Sequence, residues 1–370
     1  MNKLTNIEDN IEDNIEDDIE DNIDGNIEDK EVDDDRTRLI RAVQAGVPFA
    51  SRPFAELGQS LAIDEAAVLS GLRALSEEGV LREISAVLEG SALGYDSALV
   101  AGEIPEEKLE HAVAVINAHP TVTHNYLRNH RFNLWFTVAV PPEMSLDHTL
   151  ELLAKEAGTN AFRALRRTHT FKIGVNFDPK SLKNQTAVTQ VQEIESVSVG
   201  PTEAKLFRAL QRPLPFEERP FDTLAEQAEV EAKTLLAFAR QHLGGAVRRY
   251  VGTLRHRKLG VRENGMVVWR VPDDAVESVG LQLANAPEVS HCYARNPIEG
   301  FPYTLYSMVH GPSRKSCQDL ARTLSRKAGQ EDYAVLFSER EFKKERLRYF
   351  LPELDRWWAD RTERAGAIPS

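Results

Sequence analysis

Apolar residues recur at helical spacing through residues 36–79. The segments RTRLIRAVQAG, PFAELGQSLA and DEAAVLSGLRALSEEG each predict a short helix. In the third, Val68, Leu69, Leu72 and Leu75 form one apolar stripe, Asp64 stands where an N-cap belongs, and Gly79 closes the segment. VLREISAVL follows with strand character, so the order is helix, helix, helix, wing: a winged helix-turn-helix. The pattern then predicts a strand over 93–104, a helix over 105–118, strands through His124 and over 132–140, a helix over 146–158 and a strand over 168–177. This βαββαβ order is ferredoxin-like, with helices on one face of a sheet and the other face open to a ligand or a second sheet.

The whole pattern then repeats. After a linker rich in Gln, Ser, Thr and Val, ERPFDTLAEQAEV answers SRPFAELGQSLAI at an offset of 167 residues. TVTHNYLRNHRFNLWFTVAV (121–140) is answered at the same offset by EVSHCYARNPIEGFPYTLYSMVH (288–310). Beyond the histidine the offset grows to 171, so the second copy holds four extra residues around NPIEGFP; that turn is either a wall or lid over a site or neutral drift in a hairpin. The expected fold is α+β, a tandem duplication of winged helix-turn-helix plus ferredoxin-like domain. Its expected parts are an acidic tail (1–35), winged helix (36–90), ferredoxin-like domain (91–178), linker (179–200), second winged helix (201–256), second ferredoxin-like domain (257–350) and C-terminal extension (351–370), where Trp357 and Trp358 suggest a docking helix.

Alternation makes the histidine strand chemically interesting. His124, Tyr126 and Arg128 project to one side, and His291, Tyr293 and Arg295 repeat the trio. A proton carrier, a hydroxyl and a fixed cation on one face suit a substrate bearing carboxylates, while two half-polar strands with satisfied surface groups remain the plainer reading.

Charge changes the picture in one place. Residues 1–35 hold 16 Asp and Glu against two Lys, in a NIED repeat whose composition predicts disorder; the rest balances 43 Lys and Arg against 42 Asp and Glu. The first recognition helix carries Asp64, Glu65, Glu77 and Glu78 against Arg73 alone, which argues against DNA. Arg240, His242, Arg248, Arg249, Arg255, His256, Arg257 and Lys258 make the second winged unit basic and keep an anionic ligand or nucleic acid in play. No apolar run is long enough to cross a bilayer and the start of the chain does not read as a signal peptide, so a cytoplasmic protein is expected. Cys292 and Cys317 form neither a metal-ligand spacing nor a disulfide framework, and Cys292, beside His291, would be reactive if partly exposed.

The duplicated winged-helix and ferredoxin-like units resemble the Lrp/AsnC regulators. HNYLR followed by FNLWFT is more specifically similar to the siroheme decarboxylases, over about residues 36–350. The resemblance is to the fused form in which one chain carries both halves of a usual heterodimer, an internal pseudo-heterodimer; further self-association stays open. It implies removal of the C12 and C18 acetate carboxyl groups of siroheme to give 12,18-didecarboxysiroheme in heme d1 synthesis, a step toward denitrification, with iron arriving in the substrate and no other metal or cofactor required. His124 and His291 would deliver protons. Tyr126, Arg128, Tyr293, Arg295, Lys172, Lys343 and the Arg163, Arg166, Arg167 group would hold carboxylates, and Phe132, Trp135 and Phe136 would wall the macrocycle, with at least one of them in the sheet core. The second copy departs from the motif where Cys292 replaces Asn125 and FPYTLYS replaces FNLWFT, which points to one productive and one supporting site. The alternatives are a transcriptional regulator or a tetrapyrrole carrier that binds without turnover.

Overall fold

The computed structural model describes residues 26–160, 162–173, 195–254 and 263–366. Most of the acidic tail, and Arg255, His256, Arg257 and Lys258 of the basic span, lie outside them. In the first half come α1 (Asn26–Ala45), α2 (Pro53–Leu61), α3 (Glu65–Glu77), β1 (Leu81–Leu88), β2 (Asp96–Gly102), α4 (Leu109–Asn117), β3 (His124–Arg128), β4 (Leu134–Val140), α5 (Leu146–Ala157) and β5 (Phe162–Lys172). The second half repeats the order: α6 (Pro201–Leu210), α7 (Pro220–Gln227), α8 (Ala232–His242), β6 (Val247–Leu254), β7 (Glu263–Trp269), α9 (Val276–Ala284), β8 (Val289–Arg295), β9 (Leu305–Gly311), α10 (Arg314–Ala328) and β10 (Tyr333–Lys344). α11 (Pro352–Gly366) ends the described chain.

Local chemistry explains most boundaries. Asp64 accepts the Ala67 N–H at 2.6 Å and starts α3. Ser145 and Ser313 cap α5 and α10 likewise, and Gly158 and Gly329, at φ +66° and +63°, end them in the left-handed conformation that glycine adopts without penalty. α1 begins at Asn26, within the acidic tail. The same helix buries Leu39, Ile40 and Val43 further along, and packing of that end supports a helix that propensity alone disfavours.

The two wing strands pair with each other across the duplication. β1 pairs antiparallel with β6, its counterpart in the other half, in a two-stranded ribbon with Ser85 opposite Val251. The two helical units consequently share one core, in which Phe49 meets Phe221 at 5.7 Å and Tyr250 at 4.8 Å.

The remaining eight strands close into a barrel in the order β10-β3-β4-β2-β5-β8-β9-β7. The last strand of each half joins the other half: β5 pairs with β8, and β10 with β3. Phe171, at the end of β5, packs in the second half's helical core, and Phe342 of β10 packs against the first. Gly280 of α9 permits this exchange, because a Cβ there would lie 2.4 Å from the Phe171 ring. Leu354 and Trp357 of α11 join the first half's core, making α11 the docking helix expected from its tryptophans. Each sheet thus has a helix-covered face and a face turned into the barrel. The interior is filled by Ala101, Phe132, Trp135 and Leu165 from one half against Met266, Val268, Phe301, Tyr306 and Leu336 from the other.

Candidate active site

Strand alternation sorts the histidine strands unambiguously. Asn125 donates its side-chain N–H to Asn117 Oδ1 on α4 at 2.9 Å, and the Cys292 thiol faces the Gly280 carbonyl of α9. Both lie on helix-covered faces, so His124, Tyr126 and Arg128, and likewise His291, Tyr293 and Arg295, turn inward. The Asn125-to-Cys292 change therefore sits against a helix, and is no sign that the second site has decayed. Nor is Cys292 a reactive thiol: it is fully buried, and burial pushes its pKa up to about 12.

Each arginine of the trios lies beside its own tyrosine, 5.3 Å from the ring centroid for both Arg128–Tyr126 and Arg295–Tyr293. Each also donates from Nη1 to a backbone carbonyl of the neighbouring half's sheet, Arg128 to Leu336 at 3.0 Å and Arg295 to Leu165 at 2.8 Å. The Nε of each is buried without a hydrogen-bond partner. Burial lowers both guanidinium pKa values to about 10, which leaves them cationic at neutral pH. A buried cation with an unused donor is a natural receptor for a carboxylate.

Lys172 and Lys343 are placed elsewhere than expected. Lys172 pairs with Cys292 and Lys343 with Asn125, both on the helix-covered face. Lys172 donates to the Ala286 carbonyl at 3.0 Å and Lys343 to that of Asn117 at 2.9 Å, so each ammonium sits at the C-terminal end of a helix, where the dipole favours it. The cations that do reach the trio face are neighbours. Lys344 pairs with His124, Arg167 pairs with Arg295, and Arg82 of β1 and Arg248 of β6 approach His124 and Tyr293 from the ribbon. Arg166 is engaged by Asp96 and Asp147, and Arg163 is exposed. Sequence reasoning missed Arg82 and placed Arg248 only in a basic span, because only the cross-half ribbon brings them to the trio face. It was one residue off at Lys344 because a register irregularity between Glu341 and Lys343 shifts which lysine faces inward. A cavity of about 280 Å³ opens between the ribbon and the chain leaving β10, lined by Arg82, Arg249, Thr253, Glu345 and Arg346 among others. That is room for the carboxylate arms of a larger ligand.

The aromatic residues divide. Phe136 is buried against α4 and α5 and walls no ligand; Trp135 faces inward but is fully buried, its indole N–H held by the Phe132 carbonyl at 2.6 Å. Phe132, 7% exposed, stacks on His130 at 6.0 Å. The basic character of the second winged unit is spent partly inside the molecule, where Arg240 donates to the Phe49 carbonyl and Arg248 pairs with Glu89 at 2.5 Å.

Burial, reinforced by Lys344 and Arg82, lowers the His124 pKa to about 4, well below the near-neutral value that suits proton delivery. Burial, with Arg361 and Lys343, lowers that of His119, packed 4.3 Å from Trp357, to about 3. Both rings are neutral in the folded protein but take up protons near pH 6.5 when unfolded, so the unfolded chain binds more protons below that pH. Stability is therefore expected to fall as pH drops from 6.5 toward 4, and His119→Gln should flatten the slope of unfolding free energy against pH; an unchanged slope would rule His119 out as its source.

The AsnC-like ligand binding domain model matches residues 92–172 and again 258–343, and the siroheme decarboxylase NirDL-like HTH domain model matches 36–82. A siroheme decarboxylase of Hydrogenobacter thermophilus is 38% identical over 326 residues, which cover 87% of this chain and 97% of that one. The siroheme decarboxylase beta subunit of Methanosarcina barkeri, 36% identical, is covered over 97% of its length by 40% of this chain, as a half-length subunit should be. Two solved structures of the siroheme decarboxylase NirDL, 33% identical, cover 90% of this chain and 99% of their own. They superpose with TM-scores of 0.74 for the enzyme and 0.72 for its complex with an iron-uroporphyrin III analogue. Across both winged units, both inward-facing trios and the barrel that joins them, this chain belongs to the siroheme decarboxylase family of enzymes.

Proposed function

We propose that this protein binds siroheme between the ribbon and the barrel and removes its C12 and C18 acetate carboxyl groups, giving 12,18-didecarboxysiroheme for heme d1 synthesis in the cytoplasm. The observation that carries the reading is the duplicated inward-facing trio within a chain 38% identical to a siroheme decarboxylase over nearly its whole length. In each event the bond between the acetate methylene and its carboxylate breaks and carbon dioxide leaves. The electron pair is held by the protonated pyrrole system and then taken up with a proton at the methylene, which becomes a methyl group. The macrocycle is its own electron sink, so the protein supplies cations and a proton and no further cofactor. His124 and His291 are the imidazoles of the two sites, and burial holds His124 neutral. Arg128 with Lys344 and Arg82, and Arg295 with Arg167 and Arg248, which also share the buried Glu89 carboxylate, neutralise carboxylates that do not react. Tyr126 and Tyr293 stand beside those arginines as hydroxyl donors. The aromatic wall reduces to Phe132 at the margin of the interior, with Trp135 behind it.

Anaerobic incubation of the full chain with siroheme, followed by mass analysis of the tetrapyrrole, tests this. Loss of two carbon dioxide units per molecule is expected; siroheme recovered intact, bound or free, would overturn the reading in favour of a carrier or regulator.

A further inference from the structure

The two halves support their histidines differently. In the first, His124 Nδ1 lies 3.0 Å from Thr123 Oγ1, which lies 3.0 Å from Thr137 Oγ1, and the series ends on a hydroxyl. In the second, the corresponding hydroxyl, Ser290 Oγ, lies 2.9 Å from His291 Nδ1 and 2.5 Å from His310 Nε2. His310 Nδ1 in turn lies 2.6 Å from Asn264 Oδ1. Asn264 and His310 face each other across β7 and β9; the matching pair across β2 and β4 is Ser97 and Ala139, which offer no imidazole. Four side chains from three adjacent strands thus form a hydrogen-bonded series that, among the described residues, the first half does not repeat.

We propose that His310 is a positioning residue that acts through Ser290 to set the tautomer and orientation of His291, making the second half's site the one that protonates the substrate. The proposal rests on the decarboxylase reading. A carbonyl oxygen only accepts, so with Asn264 Oδ1 at its Nδ1, His310 carries its proton there and its Nε2 accepts from the Ser290 hydroxyl. The Ser290 oxygen is then the acceptor for Nδ1–H of His291, and Nε2 is the nitrogen at which His291 gains and gives a proton. Protonated at Nε2, the imidazolium has its Nδ1–H held by a hydroxyl whose own proton is committed to His310, an arrangement that polarises cooperatively toward the charge. When the acetate C–C bond breaks and carbon dioxide departs, the proton on Nε2 passes to the methylene carbon. His291 returns to the neutral Nδ1–H tautomer and takes its next proton from water. His124 lacks this support, and its pKa of about 4 keeps it neutral.

Full-chain Ser290→Ala, Ser290→Thr and His310→Leu variants separate this role from a merely structural one. Each is followed anaerobically at saturating siroheme, with binding read from the bound tetrapyrrole's absorption and turnover from mass analysis. Ser290→Ala and His310→Leu are expected to lower the rate constant for decarboxylation about 10–100-fold, by analogy with removing the partner that orients a metal-ligating imidazole. Siroheme affinity should stay within about twofold, and Ser290→Thr, which keeps the hydroxyl, should run near the wild-type rate. Equal rates for Ser290→Ala and Ser290→Thr, or a rate loss matched by a loss of siroheme binding, would overturn the proposal. If His310→Leu does not fold, the Ser290 pair alone decides. Wild-type protein that binds siroheme and releases no carbon dioxide would instead overturn the decarboxylase reading, and this proposal with it.

Discussion

Alanine at His291 is expected to slow decarboxylation by about a hundredfold or more while siroheme still binds, because it removes the general acid but none of the cations that neutralise the carboxylates. Arg295 keeps its anchor on the Leu165 carbonyl, and Arg167 and Arg248 reach the site from β5 and the ribbon, independently of the imidazole. His124→Ala should have the smaller effect, since a histidine held neutral by burial and two neighbouring cations has little proton to give. The measurement is a single-turnover anaerobic reaction with both variants at equal siroheme occupancy. A dead His124→Ala protein beside an active His291→Ala one would move the chemistry to the first half.

Phe301→Ala is expected to cost about 3–5 kcal/mol of stability, the range for truncating a buried aromatic residue that its surroundings cannot collapse upon. Phe301 belongs to the four-residue expansion of the second hairpin, yet it is fully buried. Its ring lies 5.2 Å from that of His130, 5.3 Å from Trp135, 6.0 Å from Phe132 and 4.8 Å from Tyr303. The loop around it is closed by a bridge between Ile298 and Phe301 and turns at Gly300, where φ is +76°. An insertion that sends a side chain into the other half's aromatic cluster is a wall between the halves; a lid would keep its side chains at the surface. Denaturant unfolding checks this. A loss of only about 0.5 kcal/mol, the size typical of exposed sites, would mean that the loop merely covers the interior.

How much of this was legible beforehand depended on the range of the interactions. The duplication, the order of elements and the Asp64 cap could be read from the chain alone, since each rests on periodicity or on contacts within a few residues. So could the common side of each trio, because strand alternation is a local rule, while the helices packed on the opposite face decided that this side turns inward. The pairing of β1 with β6 and the passage of β5 and β10 into the opposite sheet were decided by tertiary structure, as unpaired strand edges were satisfied by partners more than a hundred residues away. That exchange determined which cations serve the site: Lys343 turned to a helix end and Lys344 to His124 in the irregular register of β10 against β3, and Arg82 and Arg248 arrived on a ribbon built from both halves. The His310–Ser290–His291 series has the same origin, since only the side-by-side packing of β7, β9 and β8 sets three separated polar residues within hydrogen-bonding distance of one another.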